Sequence, residues 1–328
     1  MKDHRTQRFI SALGMATLAG ACFLWSTANL AEDFPTRPAR FISAMAPGGS
    51  GDLNARRLAE ALRGRLGQPV VVENRSGAGG SIAAVAAAGS TPDGYTLFFA
   101  SDQIFTVNPI LRKKLPFSLD DFQPLALVSR APHVLLVSAA PAKSLAELVA
   151  YAKSRPAGLH FGSGGVSTSP HLAGELFKGL AGIKLVHVPY KGAAPSLTAL
   201  LGDEIQLLFD STLTSIGHIR GGRARGLAIA SLTRSEQLPD LPTFDESGFR
   251  GFQAGVTHGL LLPAKTPRAR AALLSKLVNE VLNDPAYRKK MTDLGAQVLG
   301  GTPERFRSHL IEERKKWEIV IKRENIHL

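Results

Sequence analysis

The chain has 328 residues, with 39 Lys+Arg against 27 Asp+Glu, 44% hydrophobic residues and a single cysteine. That length fits one large or two ordinary domains, and an apolar fraction near the globular average excludes wholesale disorder. The 32 Gly and 20 Pro show no G-X-Y period, which excludes collagen-like and low-complexity chains, and one cysteine excludes an intramolecular disulfide, a zinc ribbon or a CxxC redox motif.

Lys2, Arg5 and Arg8, set against Asp3, precede an apolar run from Phe9 to Trp25 that only Ser11, Gly14, Thr17 and Gly20 interrupt. Small residues end it at Ser26-Thr27-Ala28 and again at Ala31. These are the three regions of a secretory signal peptide, so residues 1–31 are expected to be an export signal cleaved after Ala28 or Ala31. The run is short for a membrane span, which needs about 20 apolar residues. Leu18-Ala19-Gly20-Ala21-Cys22 faintly resembles a lipoprotein box, but Ala19 stands where a leucine belongs and Phe23-Leu24-Trp25 continues the apolar run. Cys22 is therefore expected to leave with the signal, and a cysteine-free mature chain needs no oxidation to fold in an oxidising compartment.

Loss of the signal lowers the net charge from +12 to about +10. A diffuse positive potential that attracts small anions is the economical reading of that excess. The most basic stretch, residues 314–323, continues a helical pattern with Phe306, Leu310, Trp317 and Val320 on one side. A solvated helix face accounts for it better than a binding patch, and with no nucleic-acid module signature no nucleic-acid partner is expected.

From Phe34 onward strands and helices alternate. The sequence predicts strands over 40–45, 69–72 and 95–100. A helix capped by Asp52 follows the first, with Leu53, Ala55, Leu58, Ala59, Leu62 and Leu66 on one face, and an alanine-rich helix covers 82–88. The pattern restarts after residue 130 with a strand over 134–137, a helix from a Ser144 cap to about 153, and a strand over 159–162. A helix opening at Ser169-Pro170, a strand over 185–188, a helix over 194–201 and a strand over 205–209 come next. A short helix over 214–220 and a strand over 227–231 complete the block. From Phe252, one strand-like run over 259–262 precedes helices over 267–282, 284–294 and 303–323. Such alternation argues for βαβ units and parallel sheets. Two such blocks with a helical tail predict an α/β fold of two lobes, residues 32–131 with 252–328 as a discontinuous lobe 1 and 132–251 as lobe 2. The terminal helices are expected to pack back on lobe 1.

In sheets of this kind ligands lie outside the carboxyl ends of the strands. Three loops there are glycine-rich and precede helices: Ala46-Pro47-Gly48-Gly49-Ser50-Gly51-Asp52, Gly77-Ala78-Gly79-Gly80-Ser81, and Gly162-Ser163-Gly164-Gly165-Val166-Ser167-Thr168-Ser169. Glycine admits a ligand close to the backbone, and helix N-termini offer free N–H groups with partial positive charge. Ser50, Ser163, Ser167 and Thr168 would add hydroxyl donors, making a site for a carboxylate or another small anion; the plainer alternative is a set of tight turns. His171 either donates to a bound anion or caps and packs. Asp210 either caps a helix or, if it faces the cleft, favours a ligand amine or hydroxyl. Tyr190-Lys191-Gly192 places a ring and a cation at another strand end, where a surface lysine is the commoner outcome.

Nucleotide motifs fail on their residues, since GxGxxG has Asn54 or Ile82 at its last position and no GxxxxGK[ST] exists. The hydrolase motif G-x-S-x-G ends in Asp52 from Gly48 and in Ala83 from Gly79, so an exported serine hydrolase centred on Ser81 or Ser50 stays as an alternative. No cluster of His, Cys, Asp and Glu has metal-ligand spacing, and neither a metal nor a cofactor is expected.

In order along the chain stand Pro47-Gly48-Gly49-Ser50-Gly51-Asp52, Gln68-Pro69-Val70-Val71-Val72-Glu73-Asn74-Arg75, Gly77-Ala78-Gly79-Gly80 and Thr91-Pro92-Asp93-Gly94-Tyr95-Thr96-Leu97. His171-Leu172-Ala173-Gly174-Glu175-Leu176-Phe177-Lys178, Val188-Pro189-Tyr190-Lys191-Gly192, Leu238-Pro239-Asp240-Leu241-Pro242-Thr243 and Glu246-Ser247-Gly248 follow. This ordered set resembles the Bug receptors, extracytoplasmic solute-binding proteins of tripartite tricarboxylate transporters, over essentially the whole mature chain. The resemblance implies a two-lobed Venus flytrap of the periplasmic-binding-protein type II kind that closes on a small carboxylate. It implies a periplasmic, monomeric, non-enzymatic protein whose partners are the ligand and the membrane subunits of such a transporter. The first loop (Pro47, Gly48, Gly49, Ser50, with Asp52 at its end) and the second lobe's loop (Ser163, Gly164, Ser167, Thr168) become the expected ligand anchors. Gly79, Gly80, His171, Tyr190 and Asp210 become expected lining. Two departures bear on the pocket: the family often has Thr after the first loop's serine, where Gly51 stands here, and often an aromatic before its Gly-Leu-Leu run, where this chain has Val256-Thr257-His258. The expected mechanism is a population shift in which ligand contact with both lobes favours a closed form, with hinge strands near residues 130 and 251. A receptor feeding a membrane sensor is the second alternative.

Overall fold

The computed structural model describes residues 34–138, 140–323 and 326–327, so the export signal expected over residues 1–31 lies outside the described residues. Arg37–Leu328 form one unit, which contains every strand and helix among the described residues. Strand β1 (Ala39–Ser43) pairs in parallel with β2 (Val70–Asn74) on one side and β3 (Thr96–Ser101) on the other. Helix α1 (Ser50–Leu66) joins β1 to β2 and helix α2 (Ser81–Ala88) joins β2 to β3, the βαβ arrangement expected from the alternating pattern. In α1 the buried positions Ala55, Leu58, Ala59, Leu62 and Leu66 fall at helical spacing, while Arg56, Arg63 and Arg65 lie off that face.

The sheets are not wholly parallel as expected. Strand β4 (Phe122–Val137) is sixteen residues long, and its residues 122–132 pair antiparallel with β9 (Gly255–Pro263), which itself pairs antiparallel with β3. Its residues 133–137 pair antiparallel with β7 (Leu207–Ser211), and residues 134–137 with β8 (Arg225–Ile229). Strand β5 (Leu159–Ser163) runs parallel to β7 and to β6 (Leu185–Pro189). The path is β2-β1-β3-β9-β4-β7-β5-β6, with β8 and the two-residue β10 (Gln297–Val298) attached to β4. One strand thus carries both halves of the molecule. The sequence shows only its last four residues as a strand, because Pro124 and Pro132 lack the N–H that a ladder uses and the register shifts between Pro124 and Ala126.

The first half's core joins Ala83, Ala84 and Ala87 of α2 to Phe98, Phe122 and Leu261. In the second half, α5 (Leu145–Lys153) and α6 (Ser169–Ala181) bury Leu145, Leu148 and Phe177 with Phe161, Phe209, Phe244 and Phe252, the last two rings stacking 4.2 Å apart. The other sheet face is covered by α7 (Ala193–Leu201) and α8 (Thr212–Arg220) through Leu197, Leu200 and Ile216. Each such side chain withdrawn from water contributes about 1.5–3 kcal/mol, before the entropy of ordering it.

Between β3 and β4 lie two one-turn helices that the sequence pattern does not announce, α3 (Gln103–Thr106) and α4 (Asn108–Leu111). Of the terminal helices, α9 (Arg268–Asn283) packs on α1 and β4, and α10 (Pro285–Thr292) on β10. The last, α11 (Pro303–Arg323), places Phe306 and Leu310 in the first half's core. Its final turns reach further than expected: Trp317 and Ile321 pack with Val107 of the first half and Leu172 of α6, so the helix touches both halves.

Candidate functional site

A cavity of about 630 Å³ opens where the carboxyl ends of the strands meet. Residues 44–46 follow β1, Ser76 and Gly77 follow β2, and Ser101 closes β3. From the other half, residues 164–170 follow β5, residues 190–193 follow β6, and Asp210 and Ser211 close β7. His133 of β4, with Val256 and His258 of β9, forms the wall where the halves join. This is the strand-end crevice in which open α/β sheets hold ligands.

Among the helices that start at this cavity, four of at least eight residues have no side chain capping their first N–H groups within the described residues. Their N-cap residues are Gly49 for α1, Gly80 for α2, Thr168 for α6 and Gly192 for α7. Three other helices are capped, by Ser144 accepting from Glu147 N–H at 3.2 Å, by Ser211 of the cavity wall accepting from Leu213 N–H at 3.4 Å, and by Asp284 accepting from Ala286 N–H at 2.9 Å, while α3, α4 and α9 have no side-chain cap among the described residues. Thr168 could cap, but its hydroxyl donates to the Gly165 carbonyl at 2.6 Å instead. The open N–H groups and the partial positive charge of each helix start therefore face the cavity, which is an environment for anions.

Of the residues expected at the site, Gly49, Ser50, Gly79, Gly80, Gly164, Ser167, Thr168, Tyr190 and Asp210 line this cavity. Pro47, Gly48, Asp52, Ser163 and His171 do not. Pro47 and Gly48 are exposed. Asp52 is no helix cap; it sits inside the first turn of α1 and accepts from Gly48 N–H (3.0 Å), Arg56 Nε (3.0 Å) and Asn74 Nδ2 (2.8 Å). Burial pushes its carboxyl up, but Arg56, Gly48 and Asn74 outweigh that and hold it below its ordinary value. Its work is to pin the first loop. The Ser163 hydroxyl, fully buried, donates to the Gly165 carbonyl at 2.9 Å and meets His187 Nε2 at 2.6 Å. His171 lies beneath the same loop, where its Nδ1 accepts from Ser167 N–H at 3.3 Å and its ring packs on His187 at 4.1 Å. Burial lowers the His171 pKa, so this support is a neutral ring. Of the two roles open for His171, packing is the one the structure displays.

Asp210 combines its two expected roles. Its Oδ2 accepts from Thr214 Oγ1 at 2.6 Å and Ser215 Oγ at 3.0 Å, both on α8, while the residue lines the cavity. Burial pushes its carboxyl up to about 6, against the three hydrogen bonds from Thr214, Ser215 and Ser211.

Several lining residues carry no sequence signal of a site. Arg112 follows an unannounced one-turn helix, and His133 lies in the part of β4 that the two prolines obscure. Gly192 and Ala193 had a readable one, a glycine after a strand with Pro195 just inside the next helix. His258 stacks on Phe99 at 5.3 Å, and a Cβ placed on Gly51 would stand 3.0 Å from its Nε2. The two departures from the Bug pattern are thus neighbours: Met45, whose Cγ that Cβ would overlap, and the His258 ring together occupy the space that a side chain at position 51 would need.

Three polar atoms in the cavity wall, Ser167 Oγ, Arg112 Nε and His133 Nδ1, are buried without a partner among the described residues. Ser169 donates its hydroxyl proton to the Gly255 carbonyl and lies 2.7 Å from His133 Nε2, so the network assigns the His133 proton to Nε2 and leaves Nδ1 an acceptor. Leaving such groups unpaired costs about 1–3 kcal/mol each, and a bound anion would recover that cost for the two donors, Ser167 Oγ and Arg112 Nε. Ser167 also holds a φ of +64°, a strained conformation for a residue with a Cβ. Ser167→Ala is therefore expected to weaken ligand binding by about tenfold while leaving the unliganded melting temperature equal or higher, since it removes an unsatisfied hydroxyl. Isothermal titration and thermal melts of the variant check both halves of that statement.

Neither candidate hydrolase nucleophile, Ser50 or Ser81, bonds a histidine among the described residues, and Ser81 Oγ is buried without a partner. The serines that do meet histidines, Ser163 and Ser169, give their protons to backbone carbonyls. Among the described residues no group of three or more His, Cys, Asp and Glu could hold a metal ion.

A family model described as the tripartite tricarboxylate transporter family receptor matches residues 54–326. Protein BugT of Bordetella pertussis is 35% identical over 295 residues, covering 89% of this chain and 90% of the relative. A solved R. palustris protein with adipate aligns at TM-score 0.87 and 32% identity, over 90% of this chain and 99% of its own. MatC from Rhodopseudomonas palustris with bound malate aligns at TM-score 0.82 and 32% identity, over 88% of this chain and 100% of its own.

Proposed function

The chain belongs to the tripartite tricarboxylate transporter receptor family, the Bug receptors, and from that we propose that it is an exported solute-binding protein that captures a small organic carboxylate between its two halves. The observation that carries this reading is the convergence of four uncapped helix N-termini on one cavity. A carboxylate offers those N–H groups two acceptor oxygens, and each helix start contributes about 0.3–1 kcal/mol, rising to about 2 kcal/mol where water is partly excluded. The volume of about 630 Å³ suits a small ligand, and two relatives of this fold hold adipate and malate.

Residues 1–31 direct export to the periplasm, and among the described residues no helix is long and apolar enough to cross a membrane. One lobe is residues 37–131 with 252–328 and the other is residues 132–251. They close about β4 and the segment entering β9, where His133 N–H bonds Ala254 and Ala254 N–H bonds Ala230. The closed monomer then hands its ligand to the membrane subunits of a tripartite tricarboxylate transporter.

A thermal-shift screen of refolded, signal-free protein against small carboxylates and their amides tests the capture step. Ligand at 100 times its Kd is expected to stabilise by about 2.7 kcal/mol, a shift of a few degrees, with no shift from the matching amide. No shift across the panel, with endogenous ligand removed, refutes carboxylate capture.

A further inference from the structure

We propose that Arg112 is a second anion anchor in the cleft and that the ligand carries two terminal anionic groups, one held at the helix N-termini and one by the Arg112 guanidinium. This assignment rests on the carboxylate reading above and adds a ligand class and a selecting residue to it.

Arg112 is placed by a short chain of contacts. It ends helix α4, and Asn108 of that helix donates from Nδ2 to the Gly79 carbonyl at 2.7 Å, which ties α4 to the 3-10 turn Ala78–Gly80. A Cβ built on Gly79 would stand 3.5 Å from Arg112 Nη2, so the guanidinium lies against that glycine turn in the cavity wall. Its Nε is buried with no partner, the only Arg or Lys nitrogen in that condition among the described residues. The side chain makes no hydrogen bond or ion pair within the described residues, whereas Arg37, Arg56 and Arg75 each meet a carboxylate at 2.6–3.0 Å.

A half-buried cation held without a counter-charge is unfavourable unless something brings one. The acid that lines the cavity, Asp210, stands at the end of β7 in the other half, with Oδ2 engaged by Thr214 and Ser215. A ligand with one carboxylate at the helix N-termini would leave Arg112 unpaired. A second carboxylate on the same ligand meets the fork of guanidinium donors in a bidentate geometry that a lysine would not reproduce. The cavity of about 630 Å³ has room for both ends of such a molecule.

The test is isothermal titration of signal-free protein with succinate, glutarate and adipate, and with butanoate, pentanoate and hexanoate as their one-carboxylate counterparts. The wild type is expected to bind at least one diacid tenfold or more tightly than the monoacid of equal length. Arg112→Met is expected to lose about tenfold to a hundredfold for that diacid and nothing for the monoacid, with Arg112→Lys falling between. The unliganded melting temperature of each variant reports folding. If Arg112→Met is poorly folded, the diacid-to-monoacid ratio of Arg112→Lys decides, and a wild-type ratio there overturns the assignment. Diacid binding by Arg112→Met at wild-type strength, or equal binding of diacids and monoacids by the wild type, overturns the Arg112 role while leaving carboxylate capture standing. Binding of none of the six acids by the wild type overturns the assignment of an unbranched diacid to Arg112, and the thermal-shift panel then decides by itself whether carboxylate capture stands.

Discussion

Gly192→Val is expected to weaken ligand capture by about tenfold to a hundredfold in a chain that still folds. Gly192 has a φ of 124° and a ψ of 173°, a conformation that only glycine adopts without strain. It also stands where the halves touch: a Cβ there would lie 2.6 Å from the Cβ of Ala46, in the loop after β1. On either side the approach is close but tolerable, at 3.4 Å between a Cβ on Gly49 and Ala193, and 3.6 Å between a Cβ on Gly48 and Ala194. The backbone strain of about 1–3 kcal/mol affects open and closed forms alike and lowers stability. The clash, also about 1–3 kcal/mol, is relieved when the halves separate and so falls on the closed form alone. Gly222→Ala separates the two effects, because Gly222 has a φ of +66° and a Cβ there would meet nothing within 4 Å. It is expected to lose about 1–2 kcal/mol of stability with unchanged affinity. Titration and melting of both variants provide the comparison, and wild-type affinity in Gly192→Val would show that contact between these loops is not needed for binding.

Acid is expected to destabilise the protein between about pH 6 and pH 4, through three histidines held as neutral rings. Burial pushes His133 and His187 down to about 3 and His258 down to about 4, from 6.5 in the unfolded chain. Between those values the unfolded chain binds protons that the folded form refuses, so the stability each ring supplies is full above pH 6.5 and disappears as pH falls through the folded value. The loss is about 1.4 kcal/mol per pH unit for each ring. Asp210 acts in the opposite sense. Its folded value of about 6 lies above the ordinary 3.8, so its contribution grows as pH falls from 6 to 4 and offsets one of the three histidines. The net slope is about 2–3 kcal/mol per pH unit, with the less buried His187 contributing least, enough to consume much of a typical stability of 5–15 kcal/mol over the interval. Urea denaturation at pH 7.5, 6, 5 and 4.5 measures it. His258→Gln is expected to flatten the slope by about 1.4 kcal/mol per pH unit, and Asp210→Asn to steepen it by a similar amount while raising stability at pH 7.5. Parallel curves for wild type and both variants would refute the assignment.

What the sequence by itself determined is local. Helix α11 runs over 303–323 as its periodicity predicts, Ser144 caps α5, and glycine-rich loops sit between strands and helices where the pattern puts them. These features depend on side chains three or four residues apart, or on a single cap, and so can be read along the chain. The ordered motifs likewise marked the family, and with it the two-lobed fold.

Tertiary structure decided whatever depends on residues far apart in sequence. The sixteen-residue reach of β4 is fixed by β9 and β7, which arrive more than seventy residues later and supply partners on both sides of two prolines. The loop after β5 holds three hydroxyls that look equally suited to a ligand, yet Ser163 and Thr168 donate to the Gly165 carbonyl and only Ser167 is left unpaired. Asp52 reads as a helix cap, but Asn74 and Arg56 turn it into the pin of its own loop. Arg112 enters the cavity because Asn108 ties its helix to a glycine turn twenty-nine residues away. Where a proton goes and where a cation points are set by the nearest partner in space, and a linear pattern does not contain that distance.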